Sequence, residues 1–349
     1  MHLPQDVATE TFGTNVGLRL ASPPGGSKNR RQMSLSRTFA PVASLLLIAV
    51  ATLSGCAVTP DEEVAQSEDG LTTYDDLFST LEGSDLDRWV TVRSALKSGF
   101  DRICGDTICG GDYSNLSTVR IACSSTSKAR KMKDCAWVLG GSIEHVDGRT
   151  GNITSAPRVF TCKIPVAGSA KAMLSTLEAA GDDALSTPLP GTGKSFYDGL
   201  VDCFDGVVGG PLPPEPAKTF YAELGDWSWA HADGSAWSQT TRRLAEGFDE
   251  ICGDSFCEGD YPDITPLRFA CSVNLNTKRV SRCTWSFAAA ELSVGAGGKI
   301  DARTTTKSCT IEIGAQASAL ASALSGSAPL NATLPGKTTS IYDALIGCL

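Results

Sequence analysis

The sequence predicts an α+β protein made of two tandem homologous domains. Each is read as a helix, an antiparallel sheet of three or four strands, then a helix, with disulfides stapling the layers. Three observations carry this. Residues 99–137 repeat at an offset of 148 without a gap, with 17 identities in 39 positions. Large apolar residues follow a helical period in one segment and alternate in the next three. The 13 cysteines divide into one solitary residue and two matching sets of six.

The helix comes first. Trp89, Leu96, Phe100 and Ile103 share one helical face, as do Trp237, Leu244, Phe248 and Ile251. Gly105 and Gly253 stand where a helix C-cap favours glycine. Strand patterns follow at Val119-Ile121-Cys123, Cys135-Trp137-Leu139 and Phe160-Cys162-Ile164, with a turn at Asp147-Gly148. Helical runs around Ala170–Ala180 and Ser195–Cys203 close the repeat. The matches continue to the end: Ser195, Tyr197, Asp198, Leu200 and Cys203 correspond to Ser340, Tyr342, Asp343, Leu345 and Cys348.

The domains are therefore placed at 84–204 and 226–349. A proline-rich linker, 205–225, joins them and is expected to be extended. The framework cysteines are Cys104, Cys109, Cys123, Cys135, Cys162 and Cys203 in the first repeat. In the second they are Cys252, Cys257, Cys271, Cys283, Cys309 and Cys348. Strand cysteines share parity with large apolar residues, so they point into the core. Three of each six lie on strands and three outside, so at least one bridge per repeat must join a strand to a helix or loop.

The N-terminal part carries an address. Residues 33–55 have Arg37 as a positive start and an apolar run from Ala40 to Leu53, too short to cross a membrane as a helix. Leu53-Ser54-Gly55-Cys56 follows, and resembles the lipobox of bacterial lipoproteins. That resemblance implies cleavage before Cys56 and lipid attachment to its thiol. Residues 1–32 fit no leader part and are read as an extension ahead of the true start, Met33. Residues 56–83, acidic and rich in Ser and Thr, are read as a tether. Ala57 is not an inner-membrane retention aspartate, so the resemblance implies a cell-envelope protein at the outer membrane. The motif C-G-D-x-x-C-x-G-D-Y (Cys104–Tyr113, Cys252–Tyr261) resembles a signature of uncharacterised secreted lipoproteins of high-GC bacteria; it implies no activity.

The net charge is −9, with 39 acidic against 30 basic residues. That argues against a nucleic-acid partner, which needs clustered cations. Three histidines at unrelated positions argue against multi-histidine chemistry. Gly191-Thr192-Gly193-Lys194-Ser195 has a P-loop tail, but Pro188 holds the place of the first glycine and the second repeat lacks the lysine. Cys104 and Cys109 lack a zinc-knuckle spacing.

Asp101, Asp106 and Asp112 recur as Asp249, Asp254 and Asp260, and are the candidate cation ligands. Their bland reading is turns, caps or pairing with the recurring Arg120 and Arg268. Trp227 and Trp229 have no counterpart in the first repeat, and suggest either packing or a carbohydrate or protein contact. The sequence thus predicts a non-catalytic lipoprotein, anchored through Cys56, with no cofactor and with a protein or carbohydrate partner. An enzyme using the recurring Asp, Tyr and Arg residues and a calcium-dependent adhesion module are the alternatives.

Overall fold

The computed structural model describes residues 73–103, 113, 115–204, 219–230, 234–251 and 261–349, with Trp229 by its backbone only. All lie within one compact unit, Ser67–Leu349. Cys56, Cys104, Cys109, Cys252, Cys257, Asp106, Asp112, Asp254 and Asp260 lie outside them, as do the leader and most of the tether and linker.

The fold is α+β, with two four-stranded antiparallel sheets. The first repeat runs β1 (Tyr74–Asp76), α1 (Leu77–Thr80), α2 (Ser84–Ile103), β2 (Ser117–Thr126), β3 (Met132–Val146), β4 (Ile153–Pro165), α3 (Ala170–Ala180), a 3-10 turn at Gly181–Ser186, and α4 (Phe196–Phe204). The second runs β5 (Tyr221–Glu223), α5 (Leu224–Ala230), α6 (Gly234–Ile251), β6 (Asp263–Asn274), β7 (Arg279–Val294), β8 (Ile300–Gln316), α7 (Ala317–Ala323), a 3-10 turn at Pro329–Asn331, and α8 (Ile341–Ile346). Each sheet is a meander in chain order. Its short fourth strand falls within stretches read from sequence as tether (β1) and linker (β5).

Local chemistry explains the boundaries. Asp85 and Asp87 sit in the first turn of α2 and Arg102 in its last, complementing the helix dipole. The recurring Ser-x-x-Asp motifs are capping boxes. Asp198 N–H donates to Ser195 Oγ at 3.1 Å while Asp198 accepts from Ser195 N–H at 2.8 Å. Ser340 and Asp343 repeat the arrangement at the start of α8. The Asp147 turn closes the β3–β4 hairpin, its carboxylate accepting from Arg149 and Thr150 N–H at 2.8 and 2.9 Å.

One face of each sheet meets the helices of its own repeat. Trp89, Leu96, Phe100, Ile121, Trp137, Leu139, Ile164 and Phe196 fill the first core; Trp237, Phe248, Phe269, Trp285, Phe287 and Ile341 fill the second. Among the described residues, four disulfides brace these cores. Cys123–Cys135 and Cys271–Cys283 join neighbouring strands, while Cys162–Cys203 and Cys309–Cys348 tie the last strand to the last helical segment. The bridge from a strand to a helix or loop required by cysteine parity is thus present in both repeats, to α4 in the first and to the turn after α8 in the second, each bond contributing about 2–4 kcal/mol.

The other faces of the sheets meet each other. Ala122, Ser124, Ala136, Val138, Gly140 and Ser142 are buried, as are Ala270, Ser272, Thr284, Ser286, Ala288 and Ala290. Small side chains let the two sheets approach closely. A Cβ added at Gly140 would lie 2.4 Å from the Cβ of Ala288. These two residues are equivalent at the offset of 148, so a pseudo-twofold axis passes between them. Other contacts obey it. Gly298 packs against Tyr74, and its carbonyl accepts from Ser124 Oγ at 2.6 Å. Its equivalent Gly151 packs against Tyr221 and Ser272, which are the equivalents of Tyr74 and Ser124.

Candidate functional site

The sequence-predicted cation residues do not converge. Asp101 is exposed on α2 and pairs with Lys97 at 3.5 Å; Asp249 is exposed on α6. Among the described residues no group of three or more His, Cys, Asp or Glu is placed to hold a metal ion. Tyr113 packs edge-on to Phe160, and Tyr261 lies under the Arg303 guanidinium. Of the recurring residues, the arginines are the informative ones, together with a pair of positions that differ between the repeats.

The first difference lies between helices. In repeat 1, Arg88 of α2 clamps Glu178 of α3 with Nε at 2.8 Å and Nη2 at 2.7 Å. Its Nη1 donates to Asp85 at 2.9 Å, and Asp85 pairs with Arg130 at 3.0 Å. The Arg88 hydrogen bonds hold the Glu178 carboxyl below its ordinary value, against the opposing charge of Asp85. Ala170 N–H bonds Arg130 O, and Ala317 N–H bonds Lys278 O, which fixes the correspondence of α3 with α7. The equivalents of Arg88 and Glu178 are then Ala236 and Ser325. With the clamp gone, a cleft of about 340 Å³ opens between α5, α6 and α7.

Leu224, Trp227 and Trp237 make the apolar wall of this cleft, and Ala236, Gln239 and Ser318 its exposed rim. Trp227 sits on α5, which has seven residues where α1 has four. It is half-buried against the second core, with Lys278 Nζ 5.4 Å from its ring centroid. Arg243, the charged residue in the lining, donates to the carbonyls of Ser325 and Gly326 at 2.7 and 3.1 Å, and so holds the end of α7.

The second difference lies where the repeats join. Arg120 on β2 donates to Asp263 of the other repeat at 2.6 Å and to Asp76 at 3.4 Å. Burial opposes its charge, but the two aspartates outweigh that and hold its pKa above the ordinary value. Arg93 stacks over Phe78 and Trp89 beside it. The equivalents of Arg120, Asp263, Arg93 and Lys97 are Arg268, Asn115, Thr241 and Ala245. Asn115 turns away, accepting from Ser142 N–H at 3.0 Å and donating to Ser142 Oγ at 2.9 Å.

Arg268 is left in a cleft of about 380 Å³. Its nearest carboxylate oxygens are Glu223 Oε2 at 3.5 Å and Glu144 Oε2 at 3.8 Å, and it donates no hydrogen bond among the described residues. Both carboxylates are engaged elsewhere. Glu223 accepts from Asp226 N–H at 3.2 Å at the start of α5, and burial pushes its carboxyl above the ordinary range. Glu144, whose side chain is 0% exposed, accepts from Ser286 and Ser155 Oγ at 2.6 and 3.0 Å through Oε1.

Sequence reasoning singled out Arg268, Trp227 and Trp237 but not Ala236, Ser325 or Asn115. Their signal was present as an unlike residue at a matched position. No helix among the described residues is long and apolar enough to cross a membrane. Comparison with protein-family models, with curated proteins and with solved structures finds no match to this chain.

Proposed function

We propose that this chain is a cell-envelope lipoprotein that binds a ligand rather than transforming one. A lipid on Cys56 anchors it at the outer membrane, and two helix–sheet–helix repeats form its body. One observation carries the binding reading. Between the helices, an ion pair in repeat 1 gives way to an open cleft of about 340 Å³ in repeat 2; at the junction both repeats carry a cleft, about 270 Å³ at Arg120 and about 380 Å³ at Arg268, and only the first is locked by a short ion pair across the repeats. Clefts of this size, with aromatic walls and a few polar groups, suit small ligands. The first repeat is the brace and the second is the receptor. The lipobox, the disulfides and the acidic charge support an exported, tethered protein.

The anchor is tested by intact mass of protein from its native host, with and without alkylation. A chain starting at lipidated Cys56 with unreactive thiols is expected; an unlipidated chain with free thiols overturns the address. The binding reading is tested with N-phenyl-1-naphthylamine, an uncharged fluorophore that brightens in apolar sites. The wild type should brighten it. Ala236→Arg with Ser325→Glu, which copies the repeat 1 clamp, should abolish this while keeping the circular dichroism spectrum. No brightening by the wild type, or equal brightening by the variant, sinks the reading.

A further inference from the structure

We infer that the Arg268 cleft is a site for a neutral saccharide. The inference rests on repeat 2 being the binding half, and it names the ligand chemistry of the cleft at the repeat junction. In repeat 1 the equivalent guanidinium is occupied by the protein's own Asp263 at 2.6 Å. In repeat 2 that acceptor has become Asn115, which bonds Ser142 instead. The Arg268 side chain is 38% exposed, and among the described residues its fork of N–H donors makes only long ion pairs, to Glu223 at 3.5 Å and Glu144 at 3.8 Å, and no hydrogen bond. Glu144 Oε2, fully buried 3.8 Å away, likewise has no hydrogen-bond partner among the described residues.

The charges around the cleft select among ligands. Arg268 and Arg242 supply two positive charges, and Glu223, Glu144 and Asp226 supply negative ones. Arg242 is itself 3.6 Å from Glu246. A phosphate would meet the two lining carboxylates, Glu223 and Asp226, with Glu144 buried behind Arg268, and a simple cation would meet two guanidinium groups, so both are disfavoured. A sugar hydroxyl can accept from Arg268 and donate to a carboxylate at once, which suits a closely spaced Arg–Glu pair. Thr241 and Ser238 add hydroxyls to the same wall, and Trp237 and Phe269, each 6% exposed, offer apolar edges to the C–H face of a ring. The volume of about 380 Å³ is that of a small-ligand site.

The test is a printed array of neutral and uronic-acid-bearing oligosaccharides, probed with the full chain in detergent. Neutral glycans should be retained. Retention should weaken at least about ten-fold in Arg268→Ala, as for loss of a hydrogen bond to a charged group. Asn115→Asp, which restores the repeat 1 lock, should weaken it similarly, while Arg120→Ala should not. Far-ultraviolet circular dichroism checks that each variant is folded. Absence of any retained glycan, or retention unchanged in both Arg268→Ala and Asn115→Asp, overturns the inference. So does saturation by inorganic phosphate or a free amino acid with the same Arg268 dependence. Failure here is separable from failure of the binding reading, because Arg268 does not line the helix cleft and Arg268→Ala should leave naphthylamine uptake there unchanged.

Discussion

Repeat 1 and repeat 2 share register, disulfide pattern and core aromatics, yet they differ in where they spend charge. Arg88–Glu178 and Arg120–Asp263 fill space and satisfy donors in the first repeat. The second puts Ala236, Ser325 and Asn115 at three of those four places and lengthens α5 with Trp227. The lesson is that a duplicated fold can hold its architecture in one copy and release surface in the other. The shared core permits this because the clamps lie outside it. Exposed or half-exposed ion pairs contribute little to stability, so losing them costs little.

The two repeats depend on each other most closely at the axis. Gly140→Ala should place two methyl groups in one space and destabilise the whole unit by about 1–3 kcal/mol. Adding Ala288→Gly should restore most of that loss, since the two positions exchange roles. Chemical denaturation of both variants checks it, and additive effects would argue against the axis. Next in size, Arg88→Ala should lower stability only slightly, since the partly exposed clamp is screened by solvent. It should also raise naphthylamine stoichiometry from one toward two. A stoichiometry that stays at one would assign the cleft to Trp227 and the longer α5 rather than to the missing clamp.

The smallest effect concerns pH. Burial raises the Glu223 carboxyl, with Gly225 N–H and Arg268 opposing. A carboxyl raised in the folded state favours folding when protonated. Its contribution is fully present below the unfolded-state value and is lost as pH rises through the folded one. Glu223→Gln should therefore match the wild type in acid and gain relative stability above the ordinary carboxylate range. Thermal melts across that range check it; a variant that loses ground as pH rises would contradict the sign.

The helix-facing side of each sheet was legible because Ile121, Cys123, Cys135 and Trp137 keep strict alternation. The sheet-to-sheet side was not. Ala136, Gly140, Ser142 and Ser286 carry no apolar pattern of their own, and antiparallel sheets commonly leave one face wet. Only their smallness distinguishes them, and it becomes meaningful once a second sheet is present. Arg120 was legible as a recurring residue facing away from Ile121, but its partner was not. Asp263 lies 143 residues away in the other repeat, beyond any local pattern. The clefts were half legible: Trp227 stood out as unmatched, whereas Arg88 opposite Ala236 gains meaning only when α3 and α7 are seen beside them.

Two identical chains related by a twofold must put the same residue on both sides of their axis. Every mutation there is made twice, and glycine facing alanine is forbidden to them. Joining the halves in one chain lifts that rule. Gly140 can face Ala288, and Asp263 can hold one arginine closely while Asn115 leaves the other to two long ion pairs. What a symmetric pair could offer only as two copies of one surface, this chain offers as a front and a back.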